Sequence, residues 1–254
     1  MPLLLNKVCL VTGATSGIGY QTAVSVVEEG GCVFATGRNE SALKKLEDGI
    51  PSDKIFTRVA DCRIESQVKE VVQDCVAKFG RIDVLVNSAG VIKGAATDAA
   101  DLKNLDDHYA VNVRGLFAFM IHSIPHLKKT KGNIVNVSSV NGQQSFAGCM
   151  SYCASKASVD MITKCAAVDL AKYQVRVNSV NPGVTRTELH RRGGKTEKEY
   201  GDFLEKCKKT HPIGRIAEPR EIADAIMFLA SEKAGAITGT ILLVDGGRSC
   251  LGAR

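Results

Sequence analysis

The chain has 254 residues, 33 Lys and Arg against 27 Asp and Glu, and a formal charge of +6. A polypeptide of this length buries roughly three-quarters of its unfolded surface and needs neither disulfides nor metal to hold a core. With 44% hydrophobic and 24% charged residues it is neither disordered nor collagen-like.

No apolar run approaches the roughly 18 residues of a membrane helix. The apolar start at residues 1–5 is cut short by Asn6 and Lys7, so neither a membrane span nor a signal peptide is expected. The end, Leu251-Gly252-Ala253-Arg254, matches neither a peroxisomal tripeptide nor a prenylation site. Basic residues are scattered, and the short clusters at 128–131 and 206–209 read as solvated faces rather than a nucleic-acid surface. Nine cysteines include no Cys-x-x-Cys pair, which predicts reduced thiols in a cytoplasmic protein. His122 and His126 have the i, i+4 spacing of a metal pair, but Pro125 lies between them and no carboxylate completes a site, so no metal is expected.

The first strand is predicted at Val8–Thr12, and it runs straight into Gly13-Ala14-Thr15-Ser16-Gly17-Ile18-Gly19, with a helical pattern from Tyr20. Glycines at such a turn let the backbone approach a pyrophosphate, and the helix start offers free N–H groups and a positive dipole end. The spacing is one residue longer than the common dinucleotide fingerprint, and no Gly-Lys-Ser/Thr closes it as a nucleoside-triphosphate loop would require. A second strand is predicted at 32–36. Gly37 follows at the place, about 20 residues beyond the loop, where an acid would accept both ribose hydroxyls. Arg38 and Asn39 come next. A missing carboxylate and an added planar guanidinium point to NADP(H), with NAD(H) second.

Strand three is predicted at 55–60, ahead of Asp61-Cys62, and helical spacing spans 64–79. Strand four, Val84–Asn87, leads into Ser88-Ala89-Gly90. One long helix is predicted over 102–127, with Asn112, a poor helix former, in its interior. Strand five, 134–138, ends at a pair of hydroxyls, Ser138 and Ser139. Of the five tyrosines only Tyr152 has a lysine four residues on, Lys156, which puts both on one helix face. An adjacent ammonium would lower the phenol pKa toward neutrality and suit it to giving a proton to a carbonyl oxygen. Strand six, 175–180, runs into Asn181-Pro182-Gly183, and strand seven is predicted at 240–244. Between them, residues 184–213 are polar, charged and too short for a domain, so they are predicted to form a substrate lid. The alternation predicts an α/β protein: a doubly wound Rossmann-type fold, a seven-stranded, mostly parallel sheet with helices on both faces, in a single domain over 1–254.

The loop Thr12–Gly19, the Asn87-Ser88-Ala89-Gly90 turn, Asn181-Pro182-Gly183 and the segment from Pro212-Ile213-Gly214-Arg215 to Val244-Asp245-Gly246-Gly247 resemble the motifs of the short-chain dehydrogenase/reductase family. The resemblance covers essentially the whole chain and is nearest to single-domain members of the 3-oxoacyl-carrier-protein reductase and carbonyl reductase type. It implies an NADP(H)-dependent oxidoreductase that moves a hydride between nicotinamide and a carbonyl or secondary alcohol. Tyr152 would be the proton donor, Lys156 its activator and a ribose ligand, Ser139 the residue that orients the carbonyl, and Asn112 the fourth member. On chemistry alone Ser138 is an alternative to Ser139.

The same resemblance implies a cofactor site of Gly13, Thr15, Ser16, Gly17, Ile18, Gly19, Arg38, Asn39, Asp61, Cys62, Asn87, Ala89, Gly90, Pro182, Gly183, Val184, Thr185 and Thr187, with Tyr152 and Lys156. Ser88 and Cys62 depart from the usual residues, and Ser16 stands where many NADP-preferring relatives carry a second base. The substrate would meet Ser139, Asn141, Gln143, Cys149 and Tyr152, and the lid charges read as solvated. A homotetramer is expected. The alternative is a non-catalytic NADP(H)-binding regulatory protein of the same fold; epimerase or dehydratase chemistry would call for a larger C-terminal domain.

Overall fold

Each predicted strand has a counterpart in the structure. The computed structural model describes residues 1–194 and 196–251. Lys195, one of the lid cations, and the C-terminal tripeptide 252–254 lie outside the described residues. The strands are β1 (Val8–Thr12), β2 (Cys32–Gly37), β3 (Ile55–Val59), β4 (Val84–Asn87), β5 (Asn133–Val137), β6 (Arg176–Pro182) and β7 (Ile241–Val244). They form one sheet in the order β3-β2-β1-β4-β5-β6-β7. Every neighbouring pair is parallel, so the expected mostly parallel sheet is parallel throughout.

Side chains alternate across the sheet with period two, and this divides the core. Cys9 and Val11 of β1, Val84 and Val86 of β4, and Val135 and Val137 of β5 face one layer. Val8, Leu10, Leu85 and Ile134 face the other. The first layer is covered by α1 (Gly17–Glu28), α2 (Glu40–Asp48) and α9 (Pro219–Ala230), the second by α3 (Glu65–Phe79), α5 (Leu116–Thr130) and α6 (Met150–Leu170). Because β1 and β4 are buried on both faces, their sequences are nearly continuous apolar runs rather than alternating ones, whereas β5 carries Asn133 and Asn136 within its buried length.

Local chemistry sets the helix ends. Gly80 takes the left-handed conformation that closes α3. Pro219 and a Glu218–Glu221 capping box open α9. The predicted long helix over 102–127 is instead three pieces: α4 (Leu102–His108), a π-helical stretch Tyr109–Gly115, and α5. The widened turn surrounds Asn112, whose amide is engaged outside the helix, as described below. Residues 184–213, expected to form a lid, include α7 (Leu189–Arg192) and α8 (Glu197–Lys209). A separate small core there joins Val184, Tyr200, Leu204, Cys207 and Ile216. Among the described residues no helix is long and apolar enough to cross a membrane, and no cluster of His, Cys, Asp or Glu is placed to hold a metal.

Candidate active site

The strand order reverses direction at β1 and β4, and a cleft of about 470 Å³ opens there along the carboxyl ends of the strands. Its floor is the glycine loop. Gly13 has φ of +67°, and a Cβ added there would lie 2.7 Å from the Ala89 nitrogen. The loop therefore packs directly on the turn after β4, and a side chain at 13 would force them apart. Thr12 secures the same junction, its hydroxyl oxygen accepting from the N–H groups of Ser88 at 3.1 Å and Ala89 at 3.2 Å. Ser16 is the N-cap of α1 and makes no capping bond. The first-turn N–H groups of α1 lack intrahelical partners by helix geometry, so they can receive an anion in the cleft.

The proton-handling groups sit on α6. Tyr152 is 6% exposed and Lys156 4% exposed. Burial pushes the Tyr152 phenol up to about 12, with a hydrogen bond to Ser139 pulling it partway back. Burial pulls the Lys156 ammonium down to about 8, with Asp160 opposing. The expectation that Lys156 would lower the phenol pKa is therefore corrected. The Nζ lies 5.8 Å from the Tyr152 ring centroid and donates to the Val137 carbonyl at 2.9 Å, so desolvation outweighs the attraction between the two groups. The two serines separate cleanly. Ser139 Oγ accepts from the Asn141 N–H at 3.1 Å, whereas Ser138 donates to the Lys156 carbonyl at 3.2 Å.

Asn112 lies behind the cleft rather than in its wall. Its Nδ2 donates to the Val91 carbonyl and to Ser155 Oγ, both at 3.0 Å, and its Oδ1 accepts from the Val91 N–H at 2.8 Å. It thus ties the loop after β4 to α6, one helical turn from Tyr152. A β-carbon on Gly90 would come within 3.6 Å of Lys156 Nζ, so that loop passes close over the lysine.

At the other end, Gly37, Arg38, Asp61 and Cys62 line the cleft. Asp61 is gripped by Arg63 through Nε at 2.9 Å and Nη2 at 2.5 Å, which holds its carboxyl below the usual range. Arg38 pairs with no carboxylate among the described residues. Burial raises the Cys62 thiol to about 11, so it is an inert wall. Pro182, Gly183, Val184, Thr185 and Thr187 line the middle of the cleft, with Thr15, Ser16, Gly17, Ile18, Gly19, Ala89, Asn141 and Cys149.

Besides Asn112, three expected residues fall outside the lining. Asn39 caps α2, its Oδ1 accepting from the Ala42 N–H at 3.0 Å. Asn87 is buried and donates to Asn136 Oδ1 at 2.9 Å, while its own Oδ1 has no partner. Gln143 points to solvent.

Two buried histidines carry loops of the site and had no signal in the sequence. His211 Nε2 accepts from the Val184 N–H at 3.1 Å, and its Nδ1 meets the Cys207 carbonyl at 2.6 Å. His108 Nε2 accepts from the Lys93 N–H at 3.1 Å, its Nδ1 meets the Asn104 carbonyl at 2.7 Å, and its ring stands edge-on to Tyr152 at 6.0 Å. Those partners require the neutral Nδ1–H tautomer in both rings.

A glycine cradle at a helix start, a buried lysine and an arginine without an acidic partner among the described residues fit a nicotinamide dinucleotide. The fold and cleft define a doubly wound dinucleotide-binding protein. Residues 13–249 match the family model described as enoyl-(acyl carrier protein) reductase. The chain is 39% identical over 248 residues to a 3-oxoacyl-(acyl-carrier-protein) reductase of Thermotoga maritima, covering 96% of this chain and 98% of the relative. It is 36% identical to an L-xylulose reductase of Caenorhabditis elegans, covering 96% of each. A short-chain dehydrogenase/reductase of unknown function from Caenorhabditis elegans, solved with cofactor, superposes with a TM-score of 0.94 at 32% identity over 99% of this chain and 98% of that one. A 3-ketoacyl-(acyl-carrier-protein) reductase from Brucella melitensis, complexed with NADH, gives 0.89 at 32% identity, covering 97% and 99%. The chain belongs to the short-chain dehydrogenase/reductase family, whose members here are oxidoreductases.

Proposed function

We propose that the protein is an NADP(H)-dependent oxidoreductase that reduces a carbonyl compound, with Tyr152 as proton donor. The observation that carries this reading is the convergence of Ser139, Tyr152 and Lys156 in the wall of a glycine-floored cleft. The bound nicotinamide supplies the hydride. The Ser139 hydroxyl orients the substrate carbonyl, and Tyr152 gives its proton to the carbonyl oxygen as the alkoxide forms. A phenol with a pKa near 12 holds that proton at neutral pH, which suits reduction. Lys156 binds ribose hydroxyls, and Asn112 keeps the loop after β4 registered on α6. Asp61 and Cys62 flank the adenine, and Ala89 and Gly90 the adjoining ribose. Pro182 to Thr185 hold the nicotinamide, and Thr187 faces the pyrophosphate. Asn141 and Cys149 border the substrate. Residues 184–213 act as lid over this single catalytic domain. The reading includes a cytoplasmic homotetramer; nine free thiols suit a reducing compartment.

Arg38 supports the choice of NADPH. It lines the cleft beside Gly37, a position that carries no carboxylate to repel a 2′-phosphate, and the nearby Asp61 is held by Arg63. One charge-assisted pair contributes roughly 1.5–3 kcal/mol, or about one to two decades of affinity. NADPH oxidation with a panel of ketones, followed by absorbance, tests the function. Tyr152→Phe is expected to lower kcat by about two decades or more while NADPH Kd stays within about twofold. Arg38→Ala is expected to erase most of the preference over NADH. NADPH binding without hydride transfer to any carbonyl would instead favour the regulatory alternative.

A further inference from the structure

The cleft is electrostatically one-sided. Arg38, Lys156, Arg192, Lys206 and Arg248 line it, and among the described residues Asp61 is the one carboxylate in its wall. That carboxylate is already occupied by Arg63. Of the lid cations outside the cleft wall three are held by acids, while Lys198 and Lys209 have no ion pair among the described residues. Arg186 pairs with Glu218 at 2.9 Å, Arg191 with Glu188 at 2.5 Å and Glu197 at 2.8 Å, and Lys208 with Glu205 at 2.6 Å. Lys206 and Arg248 pair with no carboxylate among the described residues.

Cofactor phosphates account for part of this charge. Arg192, for example, reaches across from α7 to Ser16 Oγ in the glycine loop. They do not account for Arg248. It follows β7, which stands four strands from β1 in the sheet. At about 4.8 Å per strand the two strand axes are roughly 19 Å apart. Arg248 is also a built feature. Its guanidinium stacks 4.6 Å from the Phe146 ring centroid. The turn carrying it is fixed by Gln144 Nε2, which donates to the Ser249 carbonyl at 2.8 Å. The nearest acid in sequence, Asp245, accepts from the N–H groups of Gly247 at 2.9 Å and Ser249 at 2.7 Å, so its carboxylate serves the turn. Lys206 enters from α8 on the lid. Ile92, Phe146 and Phe203 supply apolar wall in the same cleft.

We infer that the substrate end of the cleft takes carbonyl compounds with an apolar body and an anionic group, and that Arg248 and Lys206 bind the anion. This rests on the oxidoreductase reading and adds the substrate class to it. Carboxylate and phosphate share the required chemistry, and matched probes separate them.

The test compares NADPH oxidation with 3-, 4- and 5-oxo fatty acids against their methyl esters, and with dihydroxyacetone phosphate against dihydroxyacetone, at low and high salt. In at least one pair the anionic member is expected to have a kcat/KM about tenfold or more above its neutral counterpart, mostly through KM, and to lose that advantage as salt rises. An advantage confined to the oxo acids assigns a carboxylate; one confined to the phosphate ester assigns a phosphate. In the double variant Arg248→Gln, Lys206→Gln the ratio is expected to fall toward one, while Arg248→Lys keeps part of it. Neutral members reacting as well as anionic ones in every pair would overturn the inference and leave the oxidoreductase reading standing. Absence of hydride transfer to every probe would overturn both.

Discussion

Tyr152 and Lys156 share a dry environment on α6, and that environment moves their proton affinities in opposite directions. With Lys156 at about 8, its charge is present below that pH and lost above it. Reductase kcat/KM is therefore expected to fall as pH rises through about 8, and Lys156→Arg, which stays charged, should move that limb upward. Stability should run the other way. The folded lysine releases its proton near 8 and the unfolded one near 10.5, so the unfolded chain binds more protons in that window. Denaturant titrations should show the protein gaining stability from pH 8 to 10 relative to Lys156→Met; a flat difference would remove the buried-lysine account. The spacing of these two residues was legible in the sequence, but their desolvation was not, because spacing fixes a helix face and says nothing of what covers it. Asn39 was misread for a related reason. An Asn ahead of Glu40 and a helical run carries a cap signal, and the capping role took the side chain.

At the scale of elements, an imidazole at the end of α8 ties that helix to the loop after β6, as the Tyr200 hydroxyl does by donating to the Thr187 carbonyl at 3.0 Å. His211 spans from the Cys207 carbonyl in α8 to the Val184 N–H, and burial keeps it neutral by pulling its pKa below 6.5. His211→Leu leaves that buried N–H without an acceptor, at a cost of about 1–3 kcal/mol, and should lower Tm by roughly 3–8 °C in a domain of this size. His211→Gln, whose amide oxygen can accept the same bond, should recover part of the loss. As pH falls below 6.5 the unfolded histidine protonates first, so the protein should lose stability there, with a shallower slope in His211→Leu. Nothing in Thr210-His211-Pro212 announces this, since the partners lie 27 residues apart in chain and meet only in the fold. The π-helical stretch was hidden in the same way. Periodicity over 102–127 reads as one helix, and the widening reflects bonds from Asn112 to a loop 21 residues away.

The whole molecule follows the sequence most closely, because strands buried on both faces must be short apolar β-branched runs and their connections must be helical. What one chain leaves exposed is also informative. Phe117 and Ile121 on α5, with Met161 and Val168 on α6, are 42% to 77% exposed on the side of the sheet those helices share. Residues four apart on α5 and seven apart on α6 form stripes, and stripes of this kind on a soluble protein are usually covered. Light scattering is expected to give four times the mass of one chain at micromolar concentration. Val168→Glu with Ile121→Lys should lower that mass, and a monomer in the unaltered protein would refute the assembly.

The contact between Gly37 and Thr15 constrains how cofactor choice could change over successive generations. A β-carbon at position 37 would lie 2.6 Å from the Thr15 methyl, so an aspartate introduced there first meets a stiff, β-branched neighbour before it can reach any ribose. Shortening Thr15 beforehand opens the space without touching Arg38. The two substitutions are thus epistatic and ordered. A library that varies position 37 alone would score an aspartate there as harmful, whereas one that also shortens position 15 would not meet that clash.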